Sequence, residues 1–214
     1  VSYHYKALGV VSGDYCDLVI GPEEQLYFMV GDVAGKGVAA SMLMSNLSAI
    51  FRALIPLGLP LVELMERANR IFTGSTLPTQ FATLICGRAM AGGALELCSA
   101  GHVPTLIVTP DSAQRVESNG LPIGLFGEQK FTTSAFEIAA GSSLVLFSDG
   151  VSEARMDEDE DYGYERIAAA AQKSASAGLA PAEIVAACVR DLETFLGGSP
   201  VFDDQTLMVV QKSI

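Results

Sequence analysis

The run Phe28-Met29-Val30-Gly31-Asp32-Val33-Ala34-Gly35-Lys36-Gly37-Val38-Ala39-Ala40 constrains the fold of this chain more than any other. An apolar strand runs up to one aspartate, the chain turns on glycines, and a long apolar helix begins. A strand end can hold a carboxylate still, and Gly35 and Gly37 permit the positive φ that other residues resist. Leu144-Val145-Leu146-Phe147-Ser148-Asp149-Gly150 repeats the arrangement, again delivering an aspartate to a glycine turn. Asp203-Asp204 opens the last strand, and Asp14 with Asp17 lies near the start. Any one of these alone reads as ordinary turn chemistry. Four acidic sites at strand ends, far apart in sequence, point to one shared task, the binding of divalent metal.

Composition narrows the alternatives. The chain has 214 residues, 50% of them hydrophobic and 18% charged, which fits one globular domain spanning 1–214 with a sizeable core. No apolar run approaches the roughly 20 residues of a membrane span, and Val1 begins no signal peptide. The chain starts almost inside a strand, as expected of a domain cut from a longer protein. A net charge of -12 excludes the basic face that nucleic-acid binding needs. Cys16, Cys86, Cys98 and Cys188 form no C-x-x-C pair and sit in apolar patterns, the usage of reduced core thiols in a cytoplasmic protein.

Strands are predicted over about 3–11, 18–20 and 25–31, joined too tightly for parallel crossovers and therefore read as an antiparallel meander. Val38, Met42, Leu43, Leu47, Ile50, Phe51 and Leu54 recur at helical spacing over 37–55, and a second helix follows from Pro60. Strands at 80–89 and 94–98 flank a glycine hairpin turn, and further strands are expected at 105–108, near Val116, and at 123–125, 131–138 and 143–148. Asn119-Gly120-Leu121-Pro122 is a turn. Asp157-Glu158-Asp159-Glu160-Asp161 is an acidic loop before helices near Tyr164 and Pro181, the latter stopped by Gly197. Residues 206–210 close as a strand. The class is α+β, with two sheets and two helix pairs.

Hard divalent cations take oxygen ligands, often a few carboxylates plus waters. Two such ions can activate a water and clamp the oxygens of a phosphoryl displacement. Asp32 and Asp149, each ending an apolar strand, are the candidate catalytic residues. Rival motifs fail. A P-loop needs glycine where Val30 stands and a hydroxyl where Gly37 stands. A calcium loop starting at Asp157 puts Tyr162 at its glycine and Ala168 at its glutamate. Ser148 has no histidine partner in a triad pattern, and His102 reads as structural, in a turn away from the other carboxylates.

The chain resembles metal-dependent protein phosphatases (the PPM or protein phosphatase 2C-like family) of the SpoIIE/RsbU-like bacterial branch. The resemblance is carried by Gly13-Asp14-Tyr15-Cys16-Asp17, the Gly31–Gly37 run, Ala100-Gly101-His102-Val103-Pro104, Gly120-Leu121-Pro122-Ile123-Gly124, Ser148-Asp149-Gly150-Val151-Ser152-Glu153-Ala154 and Asp203-Asp204-Gln205-Thr206, in family order. It implies a two-sheet antiparallel β-sandwich flanked by helix pairs, and two Mn2+ or Mg2+ ions. It implies that Asp32 bridges both ions, that the Val33 carbonyl and Asp14 serve the first, and that Asp149 and Asp203 serve the second. Asp204 is the alternative ligand at the last position. Hydrolysis of phosphoserine or phosphothreonine on a protein is the implied reaction. The implied partners are a STAS-type anti-sigma-factor antagonist as substrate, an upstream sensor or receiver domain, and a homodimer mate. The phosphate-binding arginine of the eukaryotic relatives is missing from the start of the chain. Two rivals stand beside this: a catalytically silent binding module, and a two-metal phosphodiesterase.

Overall fold

The computed structural model describes residues 1–118, 120–156 and 160–212. Asn119 of the expected turn and residues 157–159 of the acidic run lie outside the described residues. In chain order the elements are β1 (Ser2–Lys6), β2 (Asp14–Ile20), β3 (Leu26–Val33), α1 (Gly37–Leu54), α2 (Leu61–Ser75), β4 (Ala82–Ala89), β5 (Ala94–Ala100), β6 (Thr105–Val108), β7 (Ala113–Val116), β8 (Thr133–Glu137), β9 (Ser143–Phe147), α3 (Asp149–Ser152), α4 (Gly163–Ser176), α5 (Pro181–Leu196) and β10 (Gln205–Gln211). They divide between two compact units, each with one five-stranded antiparallel sheet and one long helix pair.

The first unit comprises Val10–His102 and Ser118–Glu137. Its strand order is β2-β3-β4-β5-β8, so β3 is an inner strand with neighbours on both sides. The period of two along β3 sends Tyr27, Met29 and Val33 into a core shared with Leu47 and Phe51 of α1 and Leu64, Met65 and Phe72 of α2. Phe28 and Val30, on the other face, are buried as well, which is why the strand reads as a continuous apolar run. Helix α1 buries Ala40, Leu47, Ile50, Phe51 and Leu54, a stripe at helical spacing, and leaves Val38 and Met42 exposed. Gly35 and Gly37 have φ of 108° and 73°, the left-handed values expected of the turn that carries the chain from β3 into α1.

The second unit comprises Val1–Gly9, Val103–Glu117 and Ile138–Ile214, with strand order β1-β10-β9-β6-β7. Val145 and Phe147 of β9 and Leu207 and Val209 of β10 pack with Ile167 and Ala171 of α4 and with Ile184, Cys188 and Leu192 of α5. Pro181 stands in the first turn of α5, where its missing N–H costs nothing. Gly197 ends the helix at φ 57°.

Several expectations are corrected. The first strand joins no meander: β1 pairs with β10, and only β2 and β3 form the early hairpin. Short connections bounded the choice to antiparallel pairing but could not say with which strand. Residues 123–125 form no strand, since Ile123 makes a single bridge to Ala82. With the 3-10 turn after it, α1 reaches 21 residues, Gly37–Leu57, at a mean hydropathy of 1.6. By length and composition alone it is long and apolar enough to cross a membrane, a test that core helices also pass, and here Leu47, Phe51 and Leu54 pack into the core of the unit. Serines and one asparagine interrupt the apolar residues of α1, so no unbroken run marked it.

The two faces of α1 separate in a stability measurement. Leu47→Ala removes a fully buried side chain and is expected to cost about 2–5 kcal/mol. Met42→Ala, at a site 69% exposed, is expected to change stability by less than about 0.5 kcal/mol. Urea unfolding of the two variants checks both values.

Candidate functional site

In the first unit the pairing of β2 with β3 sets Asp14 directly opposite Asp32. Directly paired residues of an antiparallel ladder share a face, so the two carboxylates lie side by side. Asp32 is out of step with Tyr27, Met29 and Val33, hence on the face away from α1 and α2. Asp14 is 2% exposed, and the Ser12 hydroxyl accepts its backbone N–H at 3.0 Å. Asp17, three residues on, falls on the opposite face by parity. There the Arg52 guanidinium of α1 donates to both its oxygens, at 2.5 and 2.9 Å. Asp17 is therefore a helix anchor and does not join Asp14.

The backbone beside this pair is closely approached. The Val33 N–H donates to the Gly13 carbonyl at 3.3 Å. A Cβ built on Gly13 would lie 3.3 Å from the Val33 carbonyl oxygen and 3.5 Å from Asp32 Oδ1. Glycine at 13 leaves out a side chain that would crowd both oxygens. Thr83 lies opposite Asp32 on β4, and its hydroxyl is 2.9 Å from Nδ1 of His102, which is buried. His102 thus lies closer to Asp32 than its turn motif indicated. Thr83 was missed because an isolated threonine in a strand carries no motif.

In the second unit, antiparallel pairing brings the C-terminal end of β9 to the N-terminal end of β10. Asp149 and Asp203-Asp204 consequently share one sheet edge. Asp149 opens the short helix α3, which the sequence reading took for a plain turn. Ser148, fully buried, ties this edge together. Its N–H donates to the Thr206 carbonyl at 2.9 Å, its Oγ accepts the Thr206 N–H at 3.0 Å, and the same hydroxyl donates to the Asp204 carbonyl at 3.4 Å. Any Cβ on Gly150 would collide with that Asp204 carbonyl. Asp204 Oδ1 accepts the Leu8 N–H at 2.7 Å, and Asp203 Oδ1 accepts the Asp204 N–H at 3.0 Å. Asp149 and Asp203, but not Asp204, line a cavity of about 580 Å³ within this unit.

Burial raises the pKa of Cys16 to about 12, with Asp17 and Asp14 adding to the rise, and that of Cys98 to about 12. Cys86 is pushed up well above the usual range by burial. Of the acidic run, Asp161 is held by Arg155 and Glu160 by Arg166 at 2.7 Å.

Among the described residues no three His, Cys, Asp or Glu side chains are grouped to hold an ion. The donors come as carboxylate pairs, with the Val33 backbone carbonyl beside the first pair. That set does not suit an all-protein cage such as zinc or calcium favours. It suits a small hard cation that keeps most of its water and takes one or two carboxylates. The residues present fit magnesium or manganese.

The family model for Stage II sporulation protein E (SpoIIE) matches residues 22–213. The chain belongs to the SpoIIE family. It is 26% identical over 234 residues to Protein IcfG of a Synechocystis species, an alignment covering 95% of this chain and 36% of IcfG. It is 27% identical over 148 residues to the phosphoserine phosphatase RsbU of Bacillus subtilis, covering 68% of this chain and 44% of RsbU. The chain thus spans less than half the length of these relatives. The crystal structure of the RsbU and RsbW domains of Rv1364c from Mycobacterium tuberculosis superposes with a TM-score of 0.84 at 28% identity, over 99% of this chain and 59% of that one. The α+β class with two antiparallel sheets and helix pairs, expected from the resemblance, is the fold observed.

Electrostatic crowding at the second edge has a measurable consequence. Burial, then the negative charges of Asp149 and Asp161, hold the Glu153 carboxyl above its ordinary pKa, and Asp203 adds to this. A carboxyl raised in the native state costs stability at every pH above its unfolded pKa of about 4.3, and the cost vanishes below it. Glu153→Gln is therefore expected to raise the thermal midpoint of the metal-free protein at pH 7. The gain should fade as the pH falls to about 4, as thermal melts across that range would register.

Proposed function

We propose that this chain is a metal-dependent protein serine/threonine phosphatase. The observation that carries the reading is the Asp14–Asp32 cross-strand pair, with Asp14 buried, beside the Val33 carbonyl. Two like charges directly opposite on a ladder destabilise it, so the arrangement calls for a cation. The ligands proposed for two Mn2+ or Mg2+ ions are Asp14, Asp32 and the Val33 carbonyl, with Asp149 and Asp203. Asp203 is preferred to Asp204 because Asp203 lines the cavity with Asp149 and Asp204 does not. Bound there, the ions would supply an activated water and charge neutralisation for the phosphoryl oxygens. The chain's own residues do the positioning. The β2–β3 register fixes Asp32, and the Ser148 clamp with the close approach at Gly150 fixes Asp149 relative to Asp203. No thiol or hydroxyl nucleophile is needed, in keeping with the burial of Ser148 and the raised thiols.

The substrate we propose is phosphoserine or phosphothreonine on a protein of the STAS-type anti-sigma-factor antagonist class. Similarity to a relative named phosphoserine phosphatase supports this. The Rv1364c structure joins RsbU and RsbW domains in one chain, which supports a catalytic domain working beside others, here an upstream sensor or receiver domain.

The purified domain should hydrolyse an aryl phosphate when manganese or magnesium is supplied and stop when it is chelated. Asp32→Asn and Asp149→Asn each exchange a charged ligand for a near-isosteric amide. Each should lower turnover at least about a hundredfold, exceeding the 10–100-fold typical of losing an outer-shell partner. Steady-state rates with and without chelator check this, and activity that survives complete metal removal overturns the reading.

A further inference from the structure

The cavity beside Asp149 and Asp203 is walled by α3, the chain just after it, the end of α5 and the segment leading into β10. Met156, Leu196, Pro200, Val201 and Phe202 make it largely apolar. Leu196 is buried, but Met156 is 50% and Phe202 67% exposed, so apolar surface faces solvent at this place. Of the remaining described lining, Gly150 and Ala154 are neutral, Asp149, Glu153 and Asp203 are acidic, and the one guanidinium is that of Arg155, which Asp161 holds. A volume of about 580 Å³ is that of a site for a small ligand or a few side chains.

Charge and continuity together select the occupant. Carboxylates in a partly desolvated lining repel an anionic group and attract a cationic one. On the proposed reading Asp149 and Asp203 are committed to ions, which among the described lining residues leaves Glu153 as the carboxylate facing an occupant. Those same two aspartates belong to both the cavity and the proposed ligand set. A phosphate held by the ions therefore brings the neighbouring residues of its own chain, about 3.3–3.6 Å apart when extended, to the apolar wall.

We infer that this cavity is a subsite for the substrate protein, taking an apolar side chain next to the phosphorylated residue with a basic neighbour set against Glu153. The inference rests on the phosphatase reading and adds a sequence preference to it. Met156 and Phe202 supply adaptable apolar contact at the mouth, and Val201 supplies a fixed wall.

Phosphoserine peptides carrying leucine on both sides of the phosphoserine with lysine beyond, serine with lysine, or leucine with glutamate are suitable probes. The wild-type kcat/KM should favour the leucine–lysine peptide at least about tenfold over each of the others, the scale on which apolar pockets discriminate. Val201→Ser and Met156→Ser should each reduce the leucine preference several-fold while leaving aryl phosphate turnover within about twofold, since neither residue touches the reacting group. Glu153→Gln should reduce the preference for lysine over glutamate. A wild-type enzyme indifferent to the flanking residues, or variants that retain the full preference, would overturn the subsite. Failure of the phosphatase reading shows differently, as no aryl phosphate turnover at saturating manganese. In that event calorimetric binding of the same peptides without phosphate still decides: a preference for the leucine–lysine peptide that Val201→Ser abolishes supports the cavity's role, and equal affinities refute it.

Discussion

The register of β2 against β3 is the constraint on which the first unit depends. Seven residue pairs, from Asp14↔Asp32 to Ile20↔Leu26, fix which side chains share a face. Slipping that pairing by one residue would turn Asp14 toward the helices and take Tyr15 out of the core. The apolar side holds the register: Tyr15 stacks on Phe51 of α1 with ring centroids 6.2 Å apart, and Asp17 is pinned by Arg52. Aromatic packing and one ion pair on the helix face thus impose two adjacent carboxylates on the other face. Left to themselves those carboxylates would repel; a cation between them reverses the sign of the interaction.

The second unit reaches a similar result by backbone means. Asp149 is not opposed across a ladder to its acidic neighbours but follows β9, while Asp203 precedes β10. What fixes their spacing is the fully buried Ser148, bonded in three ways to Thr206 and Asp204, and the contact of Gly150 with the Asp204 carbonyl. A hydroxyl and a missing side chain do here what register does in the first unit. The Leu8 amide on Asp204 extends this network to the segment after β1. It also explains why two adjacent aspartates need not share one role.

How much of this was legible follows from the range of each interaction. The helices were readable because their stripes and their proline and glycine ends are local: Leu47, Phe51 and Leu54 declare a buried face, and Gly197 declares a stop. The apolar strands β3 and β9 and the aspartates they carry were equally plain. Pairing was not, because the partner of β1 lies some two hundred residues away in β10, and nothing in Ser2–Lys6 distinguishes β10 from β2 as a neighbour. Asp17 was grouped with Asp14 by sequence proximity, although a separation of three along a strand sends the two to opposite faces. Parity was available in the sequence; the arginine that claims Asp17, 35 residues on, was not. Thr83 and the Ser148 clamp are single polar residues whose meaning exists only once distant strands are paired.

The donors also bear on what kind of chemistry such edges can support. A site made to immobilise a metal for structural reasons fills its coordination from the protein. Here the first unit offers two carboxylates and one carbonyl, and among the described residues no third acidic or imidazole group closes a cage. A small hard cation held this way keeps open positions for water, and water beside a cation is the reagent that hydrolysis of a phosphate ester requires. In the first unit a packed core fixes the carboxylates, and in the second backbone contacts do, so in each the rigidity comes from the fold.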